Sequence, residues 1–379
     1  MIADEPARIY AGHAWLTPQI RALPPTSDAQ TAGDLAAKNL TGLRLLHLNE
    51  SPYPPSPRAI EAAIAGTADL HRYPAARGQP LADALAERTG IAPRRIIIGC
   101  GSGELILFSC HIAISPGDHA VGPAPTFPGY WHAVRLFGGT TIRAKLDREG
   151  TPDARAIAAA MTEKTRLVFT CTPNPPSGGM MEAAAIEELA ASVPDTVLLL
   201  VDEAYYEFAR VEGGPDVLGI LARRRGPWLV LRTFSKGYGL ASLRVGYALC
   251  GSDAVAEALR RSMVPYTIPN VGLAAARAAL DDDGYLTHTL GLIIRERQRL
   301  TDGLKRLGLA PLPTHANFVS AALPDSADDA LHDLRRRGIL VRSWRDPEYL
   351  KEIRITVGTP DDTDAVLQAM AEILTSAKD

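Results

Sequence analysis

The chain has 379 residues, of which 46% are hydrophobic and 22% charged, enough to bury the cores of one large and one small lobe. Its 40 basic and 43 acidic residues leave a net charge of −3, which argues against a nucleic-acid or polyanion surface. No apolar run approaches the ~20 residues of a membrane span, so a soluble, cytoplasmic protein is expected.

The opening MIADEPARIYAGHAWL carries acids early and no apolar core, unlike a secretory leader. Residues 1–46 read as an irregular arm with room for one short helix. From about Arg58 the pattern changes to helices alternating with short apolar runs. RAIEAAIAG and PLADALAER have helical spacing. RIIIGC reads as a strand and GELILFSCHIAI as the helix after it. The same alternation continues through HAVGP, PGYWHAVRLFG, TTIRAKL, ARAIAAAM, RLVFTC, EAAAIEELAASV and TVLLLVD, and then WLVLRT and VGYALCG read as two further strands. Apolar strands separated by helices predict a parallel sheet of about seven strands between Arg95 and Gly251, covered on both faces. Residues 252–307 are strongly helical. The tail, with NFVSAAL, ADDALHDLRRRG, ILVRS, EIRITVG and DAVLQAMAEIL, predicts an α+β lobe with a small sheet. The four cysteines, Cys100, Cys110, Cys171 and Cys250, form no C-x-x-C pair, so no metal site is expected.

Polar clusters fall where ligands sit in open α/β sheets, at the carboxyl ends of strands. GCGSGE, around Ser102, Gly103 and Glu104, joins a strand to a helix and suits either a phosphate on open N–H groups or a plain tight turn. APTFPGY puts Phe127 where an aromatic ring can stack on a planar ligand or fill the core. TCTPNPPSGG, holding Asn174, is a loop stiffened by three prolines. VDEAYYEF ends an apolar run on Asp202, with Tyr205 three residues on; a buried acid there needs a partner. RTFSKGYGLASLRVGY places Lys236 between two buried strands, where a lysine is costly unless paired, neutralised or covalently used. A lysine used as a Schiff base calls for an electron-sink cofactor, and pyridoxal phosphate is the usual one. Asp202 then serves the ring nitrogen, the GSGE turn with Ser235 and Arg244 the phosphate, Phe127 the ring face and Tyr205 the ring oxygen O3′.

This set resembles the fold-type I pyridoxal-phosphate aminotransferases of class I/II, most closely the histidinol-phosphate aminotransferase branch. LNESPYPPSP, HRYP, GSGELI, PTF, PNPPSG, DEAYYEF, LRTFSKGYGLASLR and IRITVGT carry the resemblance from about Leu46 onward. It implies an aspartate-aminotransferase-like fold: a mainly parallel seven-stranded sheet at 47–270, an arm at 1–46 and a small α+β domain at 271–379. It implies catalytic roles for Lys236, Asp202 and Tyr205, and cofactor contacts from Ser102, Gly103, Glu104, Phe127, Asn174, Ser235 and Arg244. Tyr73 would reach the cofactor phosphate of the partner subunit, implying a homodimer with shared sites. Asn49, Arg342 and Arg354 would face the substrate, an amino acid or amino-phosphate turned over by a ping-pong transamination.

The sequence departs from that pattern at two places. Pro175 stands where the family has a second asparagine donating to O3′, and proline has no side-chain donor. AGDLAAK lacks the tyrosine that the family places before the LNE segment. A decarboxylase, lyase or oxidase on the same scaffold would keep Lys236 and Asp202, so Pro175 leaves that reading open beside transamination. A non-catalytic binding module is the rival of a different class.

Overall fold

The computed structural model describes residues 15–23 and 42–376. Most of the arm expected at 1–46, with AGDLAAK and the opening residues, lies outside them. Its described elements are one helix, Pro18–Ala22, and strand β1 (Arg44–Leu45).

Seven strands form the main sheet: β2 (Ile96–Cys100), β3 (His119–Ala124), β4 (Thr140–Lys145), β5 (Thr165–Cys171), β6 (Leu198–Asp202), β7 (Trp228–Thr233) and β8 (Val245–Cys250). Their order is β2-β8-β7-β6-β5-β3-β4. Helices separate the strands from β2 to β7, and these strands are parallel. β8 differs: it runs antiparallel to both β7 and β2. Residues 234–244 join β7 to β8 with only a short 3-10 turn, Ala241–Leu243, in place of the crossover helix that a parallel return needs. The seven-stranded sheet is thus mainly parallel, as expected, with β8 its one antiparallel member.

Alternation across the strands explains why both faces are covered. Leu199 and Val201 of β6, with Trp228 and Val230 of β7, enter one core; Leu198, Leu200, Leu229 and Leu231 enter the other. Each fully buried leucine is worth roughly 1.5–3 kcal/mol over exposure, so the central strands are held by burial on both faces.

The remaining strands are β9 (Ala310–Pro311), β10 (Phe318–Ala322), β11 (Ile339–Leu340), β12 (Arg342–Ser343) and β13 (Glu352–Thr356). The second sheet has the order β12-β13-β10-β9, while β11 pairs in parallel with β1. ILVRS, read as one strand, is thus divided at Val341 between two sheets. A third core gathers Phe318, Val319, Ile353 and Ile355 under the long helix Asp283–Arg306, and takes in Leu46 from just after β1 and Tyr205 and Phe208 from just beyond β6.

Candidate active site

The carboxyl ends of β2, β5, β6 and β7 share one edge of the main sheet, and the antiparallel β8 begins there. A cavity of about 260 Å³ opens at this edge, between the main sheet and the β12–β13 hairpin. Its wall includes Lys236, Asp202, Tyr205, Arg244, Arg342 and Arg354.

Lys236 is presented by a tight turn after β7. The Thr233 hydroxyl donates to Ser235 Oγ (3.0 Å), the Gly239 N–H donates to the Lys236 carbonyl (3.1 Å), and Phe234 anchors the turn fully buried. The Lys236 amine donates to the backbone carbonyls of Leu48 (3.0 Å) and Asn49 (2.9 Å). Burial pulls its pKa down to about 7, with Arg354 and Arg244 adding to the shift and Glu50 opposing it. The amine is thus poised near neutrality.

Asp202 ends β6, almost wholly buried. Tyr130 Oη donates to its Oδ2 (2.6 Å) and the Ala204 N–H to its Oδ1 (2.9 Å). Burial pushes its pKa up to about 6, and those two bonds hold the shift back. No lysine or arginine pairs with this carboxylate among the described residues, so a cationic N–H from a ligand is the partner that it lacks. Tyr205 is buried, its phenol held neutral by burial, and its oxygen accepts from Asn49 Nδ2 (2.7 Å).

The opposite end of the cavity is a cradle. Gly101 starts the helix after β2 at φ 74°, and a Cβ there would strike Arg244 Nη2. A Cβ on Gly246 would come within 2.5 Å of the Ser102 N–H nitrogen. The two glycines keep this helix start open beside Ser102, Ser235 and Arg244, the donor set that a phosphate requires. Arg244 Nη1 also donates to the Ala241 carbonyl (3.0 Å), fixing the guanidinium.

On the far side, Arg342 and Arg354 stand directly opposite each other on β12 and β13. Neither makes an ion pair among the described residues. Burial lowers the pKa of both, Arg354 to about 10. Trp344 lies against both guanidiniums, its ring centre 5.9 Å from Arg342 Cζ and 5.6 Å from Arg354 Cζ. Arg354 Nη2 donates to the His47 carbonyl (2.6 Å). Two unneutralised cations side by side are unfavourable unless anions bind.

The cavity wall therefore brings together Asn49, Ser102, Gly103, Phe127, Asp202, Tyr205, Ser235, Lys236, Arg244, Arg342 and Arg354. Three residues chosen from the sequence stand apart. Glu104 Oε2 accepts from the Cys100 N–H (2.7 Å), capping the helix start. Asn174 is buried in its own loop, donating to the Pro125 carbonyl and Ser177 Oγ and accepting from the Thr126 hydroxyl; Pro175 takes its place on the wall. Tyr73 is 83% exposed and stacks near Tyr266, with ring centres 5.1 Å apart. Sequence reasoning missed Tyr130. Its signal was present in TFPGY, since Tyr130 follows Phe127 by about one helical turn, which puts both on one face. Trp344, two residues after Arg342, is a further wall residue that the motif stretches do not single out. Among the described residues no His, Cys, Asp and Glu group could hold a metal ion, and no helix is long and apolar enough to cross a membrane.

The sequence pattern of aminotransferase class I and II matches residues 43–370. Histidinol-phosphate aminotransferase 2 of Pseudomonas aeruginosa is 39% identical over 328 residues, 86% of this chain and 88% of that protein. The aromatic amino acid aminotransferase of Thermobifida fusca is 37% identical over 322 residues, covering 85% and 88%. The crystal structure of histidinol-phosphate aminotransferase from Sinorhizobium meliloti in complex with pyridoxal-5′-phosphate superposes with a TM-score of 0.88 at 28% identity, over 96% of this chain and 98% of that one.

Proposed function

This chain belongs to the aminotransferase class I and II family, and from that premise we propose a division of labour among the residues of its cavity. The enzyme is a pyridoxal-phosphate-dependent transaminase. When bound, the cofactor accepts the electron pair left at the substrate Cα on loss of its proton, which is what lets an amino group pass to a keto acid. The lyase and decarboxylase readings left open by Pro175 are not favoured, because relatives named as aminotransferases match over most of the chain.

The donor set fits a phosphorylated pyridine. The Gly101 cradle, Ser102, Ser235 and Arg244 would hold the phosphate. Asp202 would hold a proton on the ring nitrogen. Phe127 would cover the ring face, and Tyr205 would serve the ring hydroxyl. Lys236, with its pKa near neutrality, carries a proton to and from Cα. The observation that carries this reading is the pairing of a neutral-poised lysine with a cation-free buried aspartate in one cavity.

Arg354 takes an anionic group of the substrate, and Arg342 takes a second one in substrates with a phosphate or a further carboxylate. The partner of this active site is a second copy of the chain. Tyr73, Leu70 and Val264 are exposed large side chains, and a cavity of about 310 Å³ beside residues 75–78 and 263–268 has a mainly apolar wall with Arg77 and Arg260 as its charged members. That surface suits an intersubunit contact, with Tyr73 completing the partner's phosphate cradle. The large domain spans 47–270 and the small domain 271–379, and the enzyme works in the cytoplasm.

The test uses the holoenzyme with single amino donors, phosphorylated and plain. Conversion to the aminated cofactor with stoichiometric keto product is expected, fastest for donors with two anionic groups. Release of carbon dioxide from the donor would overturn it.

A further inference from the structure

Backbone segment 48–50 lies against the Lys236 amine, and it is held in an unusual shape. Asn49 has φ 55°, in the left-handed region, which costs a non-glycine residue about 1 kcal/mol or more. Side chains from β13 and the edge of β10 hold it there. The Asn49 N–H donates to Thr356 Oγ1 (3.0 Å), whose hydroxyl donates back to Asn49 Oδ1 (3.2 Å). Asn317, fully buried just before β10, donates through Nδ2 to the carbonyls of Asn49 (3.0 Å) and Glu50 (3.3 Å). Its Oδ1 is buried without a partner. A buried amide oxygen left unmatched is costly, so this residue is kept inside for its donor side. The Asn49 carbonyl oxygen that receives Asn317 is the same one that receives Lys236.

We propose that Asn317 is a positioning residue for Lys236, acting through the Asn49 carbonyl oxygen that the two side chains share. This rests on the reading of Lys236 as the amine that moves the Cα proton. A neutral amine has two N–H bonds and one lone pair. The Leu48 and Asn49 carbonyls take both N–H bonds, so the lone pair is left on the side away from them. An ammonium has a third N–H, for which that pair of carbonyls offers no further acceptor. A carbonyl oxygen has two acceptor sites. Asn317 fills the second one on Asn49, and two donors on one oxygen weaken each other, so the Lys236 bond that would favour the ammonium is held weaker. The other charged and titratable groups that bear on the amine are Glu50, Arg244 and Arg354, with Asp202, Tyr205 and Tyr130 across the cavity. None of them touches the shared oxygen.

The test follows carbamylation of Lys236 by cyanate against pH, by peptide mass spectrometry, in full-length enzyme carrying the aminated cofactor. The parent should show a midpoint near 7. In Asn317→Ala the undivided acceptor favours the ammonium, and the midpoint should rise by about half a unit, roughly halving the neutral amine at pH 7. Asn317→Leu, close to asparagine in shape, should give the same direction and serves where the alanine variant does not fold. A purely structural Asn317 would lower the melting temperature and leave the pH profile in place. Profiles that coincide with the parent in both variants overturn the proposal. A parent midpoint near that of an ordinary lysine would instead overturn the reading of Lys236, whatever the variants did.

Discussion

As the proposed catalytic amine, Lys236 sets function against stability. Its pKa in the fold lies below the ordinary lysine value, so the unfolded chain binds that proton more tightly. The resulting penalty is complete below about pH 7 and fades as pH rises towards the unfolded value. Lys236→Met should therefore raise the melting temperature of the cofactor-free chain at pH 6, with the gain shrinking by pH 10, while turnover is lost. Equal gains at both pH values would mean that packing, not charge, sets the effect. Tyr130 is the second residue to test. Its hydroxyl lowers the Asp202 pKa, so in Tyr130→Phe the carboxylate becomes the stronger base. The ring nitrogen should then yield more of its proton to Asp202, seen as a ¹⁵N shift of labelled cofactor towards neutral pyridine. Turnover should fall about tenfold or more, the scale of a hydrogen bond to a charged group. An unmoved ¹⁵N signal would leave Tyr130 as a packing residue.

The β12–β13 hairpin and the start of the helix after β2 define the two ends of the cavity. Facing positions on the hairpin put Arg342 and Arg354 side by side. Arg354→Ala should raise KM for anionic donors by about 100-fold, since a buried charge on the ligand loses its partner. Arg342→Ala should matter chiefly for donors with a second anionic group. Equal losses for plain and doubly anionic donors would argue against separate roles. At the other end, Gly101→Ala joins a left-handed backbone, worth about 1 kcal/mol, to a contact with Arg244 that must be relieved by moving the guanidinium. Cofactor affinity should fall while the apoenzyme stays folded, measured by cofactor titration. Unchanged affinity would show that Arg244 is free to move without loss.

At the scale of the whole molecule, the proposed sharing of sites makes a quantitative prediction. In a dimer where Tyr73 serves the partner's cavity, a Tyr73→Ala subunit and a Lys236→Met subunit place both defects in one site and none in the other. Unfolding and refolding an equal mixture should restore about a quarter of parental activity, because half the dimers are mixed and each has one intact site. No recovery from the mixture, with mixed dimers present by mass spectrometry, would show that Tyr73 serves its own subunit's site or none.

The apolar runs determined the seven strands and the two covered faces, because burial on both sides leaves short continuous apolar stretches in the sequence. The motif stretches likewise singled out Lys236, Asp202, Tyr205 and Ser102, which meet in one cavity, since each sits in a local strand-end turn whose residues are contiguous. Other features needed distant pieces of chain to meet. β8 is antiparallel because its connection is short, and ILVRS divides because β1 and β13 compete for its two halves. Tyr130 reaches Asp202 from 72 residues away, and Asn317 reaches Asn49 from 268. Asn174 looked like a cavity residue by its neighbours in sequence, but its loop partners turn it inward. Local sequence fixes which groups are available at each strand end; only the closing of the small sheet over the large one decides which of them share a hydrogen bond.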